Sequence, residues 1–512
     1  MTSGTIIPTI SEETTLQLPP STDHSSNDHA VYIDGEDDDE DNEHVLQITF
    51  DPHVRANRRR KSSIVSMERL TLNSTIYGGG VGVGVGAVEA EFCASRSRSS
   101  CFIHSHLEAY QDTGDNRVNG PLECNRNNPV ERIVEQSIPP FMSKSELSDM
   151  VLGVGELSKR FSNMRIKIKV KTVMILTKTY DKSLIKHTRR LAEWMLSPER
   201  GKSYVVYIDS VFKDTPELDI AGFFKQYPQY KSRIHWWDAE LCATKPHTFD
   251  MVLTLGGDGT VLYASWLFQK VVPPVFSFAL GSLGFLTKFD FQGFQETLSS
   301  AIKDGVMVGL RLRFQGAIMR CIDKAGVENK DRDITAEILD RAVNRQLTHR
   351  LDVVYTVLNE IVVDRGPNAT MSATELYGDD MHLTTVQADG VCIATPTGST
   401  AYNLAAGGSL CYPEIPAMLV SPICAHSLTF RPLILPDSMV LRVGVPYDAR
   451  TTAWVSFDGR QRIELQQGDY VMITASRFPF PSVQSKGENK DWFDSIRRTM
   501  NWGVRARQEA FT

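Results

Sequence analysis

The stretch DMVLTLGGDGTVLYASWL, Asp250 to Leu267, decides how this chain folds. Met251 to Leu255 is an apolar run of strand length, and Val261, Ala264, Ser265 and Phe268 recur at helical spacing beyond a glycine-rich turn. Gly256, Gly257 and Gly259 let main-chain N–H groups approach a ligand, and a helix with Thr260 in its first turn points its positive end at the same place. Asp258 is the odd member, because a carboxylate beside phosphates is unfavourable unless it holds a metal ion or accepts a substrate proton. The same five residues also read as an ordinary strand-to-helix turn with Asp258 as the helix cap, so the rest of the chain has to choose between the two.

Upstream, Leu147 to Phe161 is helical in pattern, Val170 to Leu176 reads as a buried strand, and Asp181 to Leu196 carries a helical stripe with Pro198 beyond its end. Tyr204 to Ile208 is a further strand, and Val275 to Ala279 another, ending in LGSLGFL, Leu280 to Leu286. This alternation predicts a parallel sheet with two glycine-bearing turns at the carboxyl ends of neighbouring strands, where open α/β sheets bind ligands, so that the turns share one nucleotide. Gly201-Lys202-Ser203 ends like a Walker A motif, but Leu196 stands where its first glycine belongs and the triplet precedes a strand, so that reading is rejected.

Downstream of about Asp290 strands dominate: Val306 to Ile318, Val353 to Asp364, Thr374 to Ala388, Met439 to Val445, Thr452 to Phe457, Arg460 to Leu465 and Tyr470 to Ala475. Asp458-Gly459 reads as a hairpin turn. The expected fold class is α/β plus all-β: an open parallel α/β domain over 146–290, then a β-sandwich-like domain over 291–475 with 323–350 as a surface insertion. Residues 476–512 should carry an amphipathic helix, Trp492 to Trp502, docked on the body. Residues 1–145 are expected to be a disordered low-complexity extension, with an acidic run Glu36 to Asp41, a basic run Arg58 to Lys61 followed by Ser62 and Ser63, and a Gly/Val repeat from Gly78 to Gly86. The basic run with its two serines is a candidate for kinase modification.

The 512 residues carry a net charge of -7, which gives no electrostatic case for nucleic acid. Eight scattered cysteines form no CxxC pair, and no apolar run reaches membrane-spanning length, so a cytoplasmic protein without a membrane partner is expected. Cys101, His104 and His106 are close together but lack a fourth ligand, and no metal-ligating residues are assigned.

Two further segments carry chemistry. Asn359 and Glu360 sit side by side in VVYTVLNEIVVDRG, where a strand would turn one of them to solvent unless a ligand uses both. ADGVCIATPTGSTAYNLAAGG, Ala388 to Gly408, offers Asp389 beside a glycine, hydroxyls at Thr397, Ser399 and Thr400, and an aromatic at Tyr402 in a turn of small residues that can pack against a flat ligand. His426 is the best single imidazole, and reads as a packed structural residue.

GGDGT, LGSLGFL, LNE at Leu358 to Glu360, Asp389-Gly390 with TPTGSTAY at Thr395 to Tyr402, and AWVSFDG at Ala453 to Gly459 together resemble the NAD kinases of the eukaryotic, fungal type, in order and spacing from about Lys169 to Trp502. GGDG alone is shared with lipid kinases; the combination is specific. The resemblance implies phosphorylation of the adenosine ribose 2′-hydroxyl of NAD, or of NADH, with ATP and Mg2+ or another divalent cation. It implies that Asp258 accepts the hydroxyl proton and that Gly256, Gly257, Gly259 and Thr260 hold phosphates. Asn359, Glu360 and Asp389 would line the dinucleotide site, completed by Thr397, Ser399, Thr400, Ala401, Tyr402, Asn403, Leu404 and Ala405, and the family is usually homo-oligomeric. Two alternatives remain, a lipid kinase of the GGDG type and a catalytically silent NAD sensor.

Overall fold

The computed structural model describes residues 47–49, 144–162, 165–168, 170–178, 182–200, 204–322, 331–339, 348–485 and 488–502. The expectations for 1–145, including the metal triplet and the basic run, lie outside these residues except at 47–49 and 144–145; Gln47–Thr49 forms a short strand antiparallel to Arg165–Lys167.

The expected parallel sheet is present. Its strands run in the order Ile234–Trp237, Val205–Asp209, Thr172–Thr177, Met251–Gly256, Val275–Ala279, Phe480–Gln484 and Met307–Arg311, parallel except at the last pair. Alternation sorts the buried side chains onto two faces: Val173, Ile175, Leu253 and Phe276 toward one core, Met174, Leu176, Val252 and Val275 toward the other. Asp250 ties two strand starts together, its Oδ2 accepting the N–H groups of Lys171 and Thr172 at 2.8 and 2.7 Å.

Two edges of this domain differ from the sequence reading. The run Val306 to Ile318 is two strands, Met307–Arg311 in the first sheet and Phe314–Cys321 in the second domain, broken at Leu312-Arg313. The segment after Ala475 contributes a strand, Phe480–Gln484, inserted between Val275–Ala279 and Met307–Arg311, before the C-terminal helix Glu488–Met500. The α/β domain therefore closes with chain from beyond the β domain, and neither 290 nor 475 is a clean boundary.

The second domain is two six-stranded antiparallel sheets. Ile361, Val363, Val391, Ile393, Val455 and Phe457 from one meet Phe314, Ile318, Leu376, Val443 and Ile473 from the other. Gly316 lets the sheets approach, since a Cβ there would lie 2.6 Å from Phe457 and 2.7 Å from Ile361. The expected surface insertion is partly structural: within it, helix Ile334–Leu339 buries Ile334 and Ile338 against Tyr377, Tyr470 and Met472 on the outer face of a sheet.

The joint between domains is the GGDGT helix, Asp258–Leu267. Trp266 stacks on Tyr355 at 5.3 Å, and Leu358 is buried in the same core as Val261 and Leu267. Gln269 acts as a short piece of strand, donating to the Thr356 carbonyl at 3.2 Å and accepting its N–H at 2.8 Å. Arg313, fully buried at the break noted above, donates to the carbonyls of Phe268, Lys270 and Phe478 at 2.8, 2.7 and 2.6 Å. It meets no carboxylate in these bonds, and burial brings its pKa down to about 9, which leaves it charged at neutral pH.

Candidate functional site

Asp258 begins the helix, yet its carboxylate does not cap it. Oδ2 accepts the N–H of Phe285 at 2.8 Å, while Oδ1 accepts the N–H groups of Leu286 and Thr287 and the Thr287 hydroxyl at 3.0, 3.1 and 3.2 Å. The capping role that a plain turn would give Asp258 is therefore not the one it has. These bonds turn three main-chain N–H dipoles toward the carboxylate, an arrangement that favours its negative charge. They also bring the two glycine-bearing turns together, the amides of the second holding the carboxylate of the first.

The helix N-terminus is left open. Gly257 stands at the N-cap without a side-chain capping bond, so amides that lack partners within the helix face outward. Gly256 is required by the fold, since a Cβ would sit 2.3 Å from Thr260 Oγ1, and Thr260 is itself buried. Around Gly257 and Gly259 no protein atom lies within 4 Å of a built Cβ. Both are exposed and border open space.

Asn359 and Glu360 are not neighbours on one strand. The run Val353 to Asp364 divides into His349–Val357 in one sheet and Glu360–Asp364 in the other, and Leu358-Asn359 is the crossing. The crossing is held from across the sequence by Asp458, whose carboxylate accepts the N–H groups of Leu358, Asn359 and Glu360 at 2.8, 2.9 and 3.0 Å. Burial raises the Asp458 pKa against the pull of these amides. Burial, reinforced by the charge of Asp458, pushes Glu360 up to about 8 despite an N–H from Tyr402, and its buried Oε2 has no partner. An orphaned acid oxygen of this kind is a ready contact for a hydroxyl or a base edge.

The TPTGST turn lies directly on this crossing. Thr395 donates its N–H to the Asn359 carbonyl at 2.8 Å and its hydroxyl to the Leu358 carbonyl at 2.6 Å. Gly398 packs so closely that a Cβ would fall 2.2 Å from the Asn359 oxygen. Thr397 is buried with an unpartnered Oγ1, Thr400 and Ala401 are half-buried, Leu404 is half-buried, and Tyr402 and Ala405 are exposed. Ser399 and Asn403 differ from the rest. Ser399 Oγ bonds both main-chain groups of Cys411 at 3.1 Å, and the Asn403 amide bonds Ser399, Ser409 and Ser421, so these two side chains are engaged in holding the turn. Asp389 pairs with Arg365 at 3.0 Å. His426 is exposed in a loop, contrary to the packed position expected.

The two sites are bridged by one hairpin. While Asp458 holds the Asn359 crossing, Arg460 donates from Nη2 to the Gly259 carbonyl at 3.3 Å and lies 4.6 Å above the Tyr263 ring. In sequence the Asp458-Gly459 pair marks only a turn, since the long-range bonds of the hairpin leave no local pattern. Thr287 and Arg313 left no local signal at all.

An α/β lobe whose GGDGT helix begins without a side-chain cap, joined to a β-sandwich whose Asn359 and Glu360 lie at the crossing between its sheets, is the two-lobed architecture of a nucleotide kinase of the GGDG type. Domain models for the ATP-NAD kinase N-terminal and C-terminal domains match residues 173–306 and 358–485. The chain belongs to the ATP-NAD kinase family. It is 42% identical over 363 residues to an uncharacterized kinase of Schizosaccharomyces pombe, covering 71% of this chain and 88% of that protein. It is 42% identical over 365 residues to an ATP-NADH kinase of Saccharomyces cerevisiae, covering 71% of this chain and 70% of that one. An NAD(+) kinase of the same yeast is 43% identical over 360 residues, covering 70% and 65%. The crystal structure of yeast NADH kinase complexed with NADH superimposes with a TM-score of 0.53 at 26% identity, over 68% of this chain and 93% of that one.

Proposed function

We propose that this kinase transfers the γ-phosphoryl group of ATP to the 2′-hydroxyl of the adenosine ribose of NAD, with NADH as a second acceptor. The hydroxyl oxygen forms a bond to the γ-phosphorus, the bond to the β–γ bridging oxygen breaks, ADP leaves, and the hydroxyl proton passes to Asp258. Oδ2 is the assigned acceptor atom, because it carries one hydrogen bond where Oδ1 carries three. The open helix end at Gly257 and Gly259 suits phosphates, and Asn359, Glu360, Thr397 and the half-buried members of the turn suit the acceptor.

Among the described residues no group of three or more His, Cys, Asp or Glu is placed to hold a metal. A divalent cation such as Mg2+ would be held chiefly by the phosphate oxygens of ATP, hard ligands of the kind it takes, and would supply charge neutralisation for the transfer. The chain is read as cytoplasmic and homo-oligomeric. No helix among the described residues is long and apolar enough to cross a membrane, and the edge strand Leu433–Pro436 leaves Leu433 and Ile434 exposed for a second copy. Phosphorylation at Ser62 or Ser63 remains part of the proposal on sequence alone.

The observation that carries this reading is the Asp458–Arg460 hairpin, which links the acceptor crossing to the phosphate turn. A lipid acceptor would call for an apolar groove at that junction, whereas the groups found there are Asn359, Glu360 and Asp458. NADP formation from ATP and NAD, against phosphorylation of sphingosine or diacylglycerol by the same protein, tests it: turnover of the lipids without NADP would overturn the reading.

A further inference from the structure

The C-terminal helix Glu488–Met500 has no part in the chemistry above, yet it touches both halves of the site. Ser495, 3% exposed, donates from Oγ to the Gly284 carbonyl at 3.0 Å. That carbonyl and the Phe285 N–H are two ends of one planar peptide unit, and the N–H end is bonded to Asp258 Oδ2 at 2.8 Å. Arg498 repeats the arrangement one unit earlier. Its Nε donates to the Leu283 carbonyl at 3.3 Å; the other end of that peptide, the Gly284 N–H, donates to Thr287 Oγ1 at 2.8 Å, which in turn donates to Asp258 Oδ1 at 3.2 Å. Arg498 Nη2 also donates to Ser495 Oγ at 3.1 Å, so the two residues act together.

Slack in this path is small. A Cβ on Gly284 would lie 2.1 Å from Asp258 Oδ1, so the loop and the carboxylate are in direct contact and a tilt of the peptide moves the acid. Hydrogen bonds in such a chain also polarise one another. One turn earlier the helix sets Trp492 edge-on to Tyr412 at 5.4 Å and stacks Phe493 on the same ring at 6.2 Å. Tyr412 follows Cys411, whose main chain is bonded to Ser399 of the acceptor turn.

We propose that the C-terminal helix is a clasp for the active site, in which Ser495 and Arg498 are positioning residues that aim the two oxygens of Asp258 through the Leu283–Gly284–Phe285 peptides. The inference rests on the reading of Asp258 as proton acceptor. It predicts that the helix controls the rate of transfer more than acceptor binding.

The test is steady-state kinetics with ATP and NAD on the full chain carrying Ser495→Ala, Arg498→Ala, Arg498→Lys, Thr287→Val and the Arg498→Ala/Thr287→Val pair, with NAD dissociation constants measured alongside. Ser495→Ala and Arg498→Ala should each lower kcat about tenfold, with KM for NAD and its dissociation constant within about twofold of the parent. Arg498→Lys should recover most of the loss. Since Arg498 acts through Thr287, its removal should cost much less in the Thr287→Val background than in the parent. Arg498 is exposed, so its variants keep the test open should Ser495→Ala fail to fold. Normal kcat in both alanine variants, or fully additive losses in the pair, would overturn the clasp while leaving Asp258 in its role. Near-normal turnover by Asp258→Asn would instead remove the reading on which the clasp depends.

Discussion

Asp458 Oδ1 accepts the main-chain N–H of Asn359 at 2.9 Å across 99 residues of sequence, and the same carboxylate takes the N–H groups on either side. The acceptor residues are thus aimed by a side chain that need touch no substrate. Asp458→Ala leaves three amides without their acceptor and should lower the unfolding free energy by about 3 kcal/mol. Denaturant titration measures this, and kinetics on the folded fraction should show KM for NAD rising more than kcat falls.

Gly257→Ala and Gly398→Ala should separate ligand space from packing space. At Gly398 the new methyl group meets the Asn359 carbonyl, so the variant should lose stability together with acceptor binding. At Gly257 it meets no protein atom, and φ of -103° and ψ of -168° suit alanine. Thermal unfolding of Gly257→Ala should therefore stay within about 0.5 kcal/mol of the parent while KM for ATP rises at least about tenfold. An active, equally tight variant would show that phosphates do not come close to this turn.

Glu360 gives a pH test with a definite sign. Burial pushes its carboxyl up to about 8 in the folded chain, against 4.5 as the ordinary value. Between these values the folded protein holds a proton that the unfolded chain has released, so the stabilising term present at low pH is lost as pH rises through about 8. Glu360→Gln removes that term. The stability of the parent relative to this variant should fall by roughly 2 kcal/mol between pH 5 and pH 8.5, allowing for solvent near a half-buried group. A difference independent of pH would contradict the assignment.

Arg313 should tolerate no substitute. Lysine carries a point charge and cannot reach the carbonyls of Phe268, Lys270 and Phe478 together, so Arg313→Lys should cost about 3 kcal/mol by denaturant titration. Because these bonds join the end of the GGDGT helix to the β domain, part of the loss should appear as lower kcat even below the unfolding transition.

Much of this arrangement was legible beforehand wherever the signal is local. The strand Tyr470–Ala475 falls where its apolar run predicts, and the GGDGT turn does join strand to helix. What stayed hidden depends on contacts distant in sequence. A run such as Val353 to Asp364 looks like one strand because β-branched residues continue through it, whereas its crossing between sheets at Asn359 is held by Asp458 and Thr395, both distant in sequence. Phe480–Gln484 carries two aromatic or β-branched residues and a proline in five positions, too weak a pattern to announce that it completes the first sheet. At the site, residue types were readable but their division of labour was not: Asn403 and Ser399 look like ligand contacts, and bond to the turn itself.

The most direct measurement is NADP formation from ATP and NAD by Asp258→Asn beside the parent chain, with NAD affinity determined on both. Asparagine keeps the size of the side chain but cannot take up a proton, so turnover should fall by about 10³-fold while NAD binds within about threefold of the parent. Turnover within about threefold of the parent at equal NAD affinity would contradict the account.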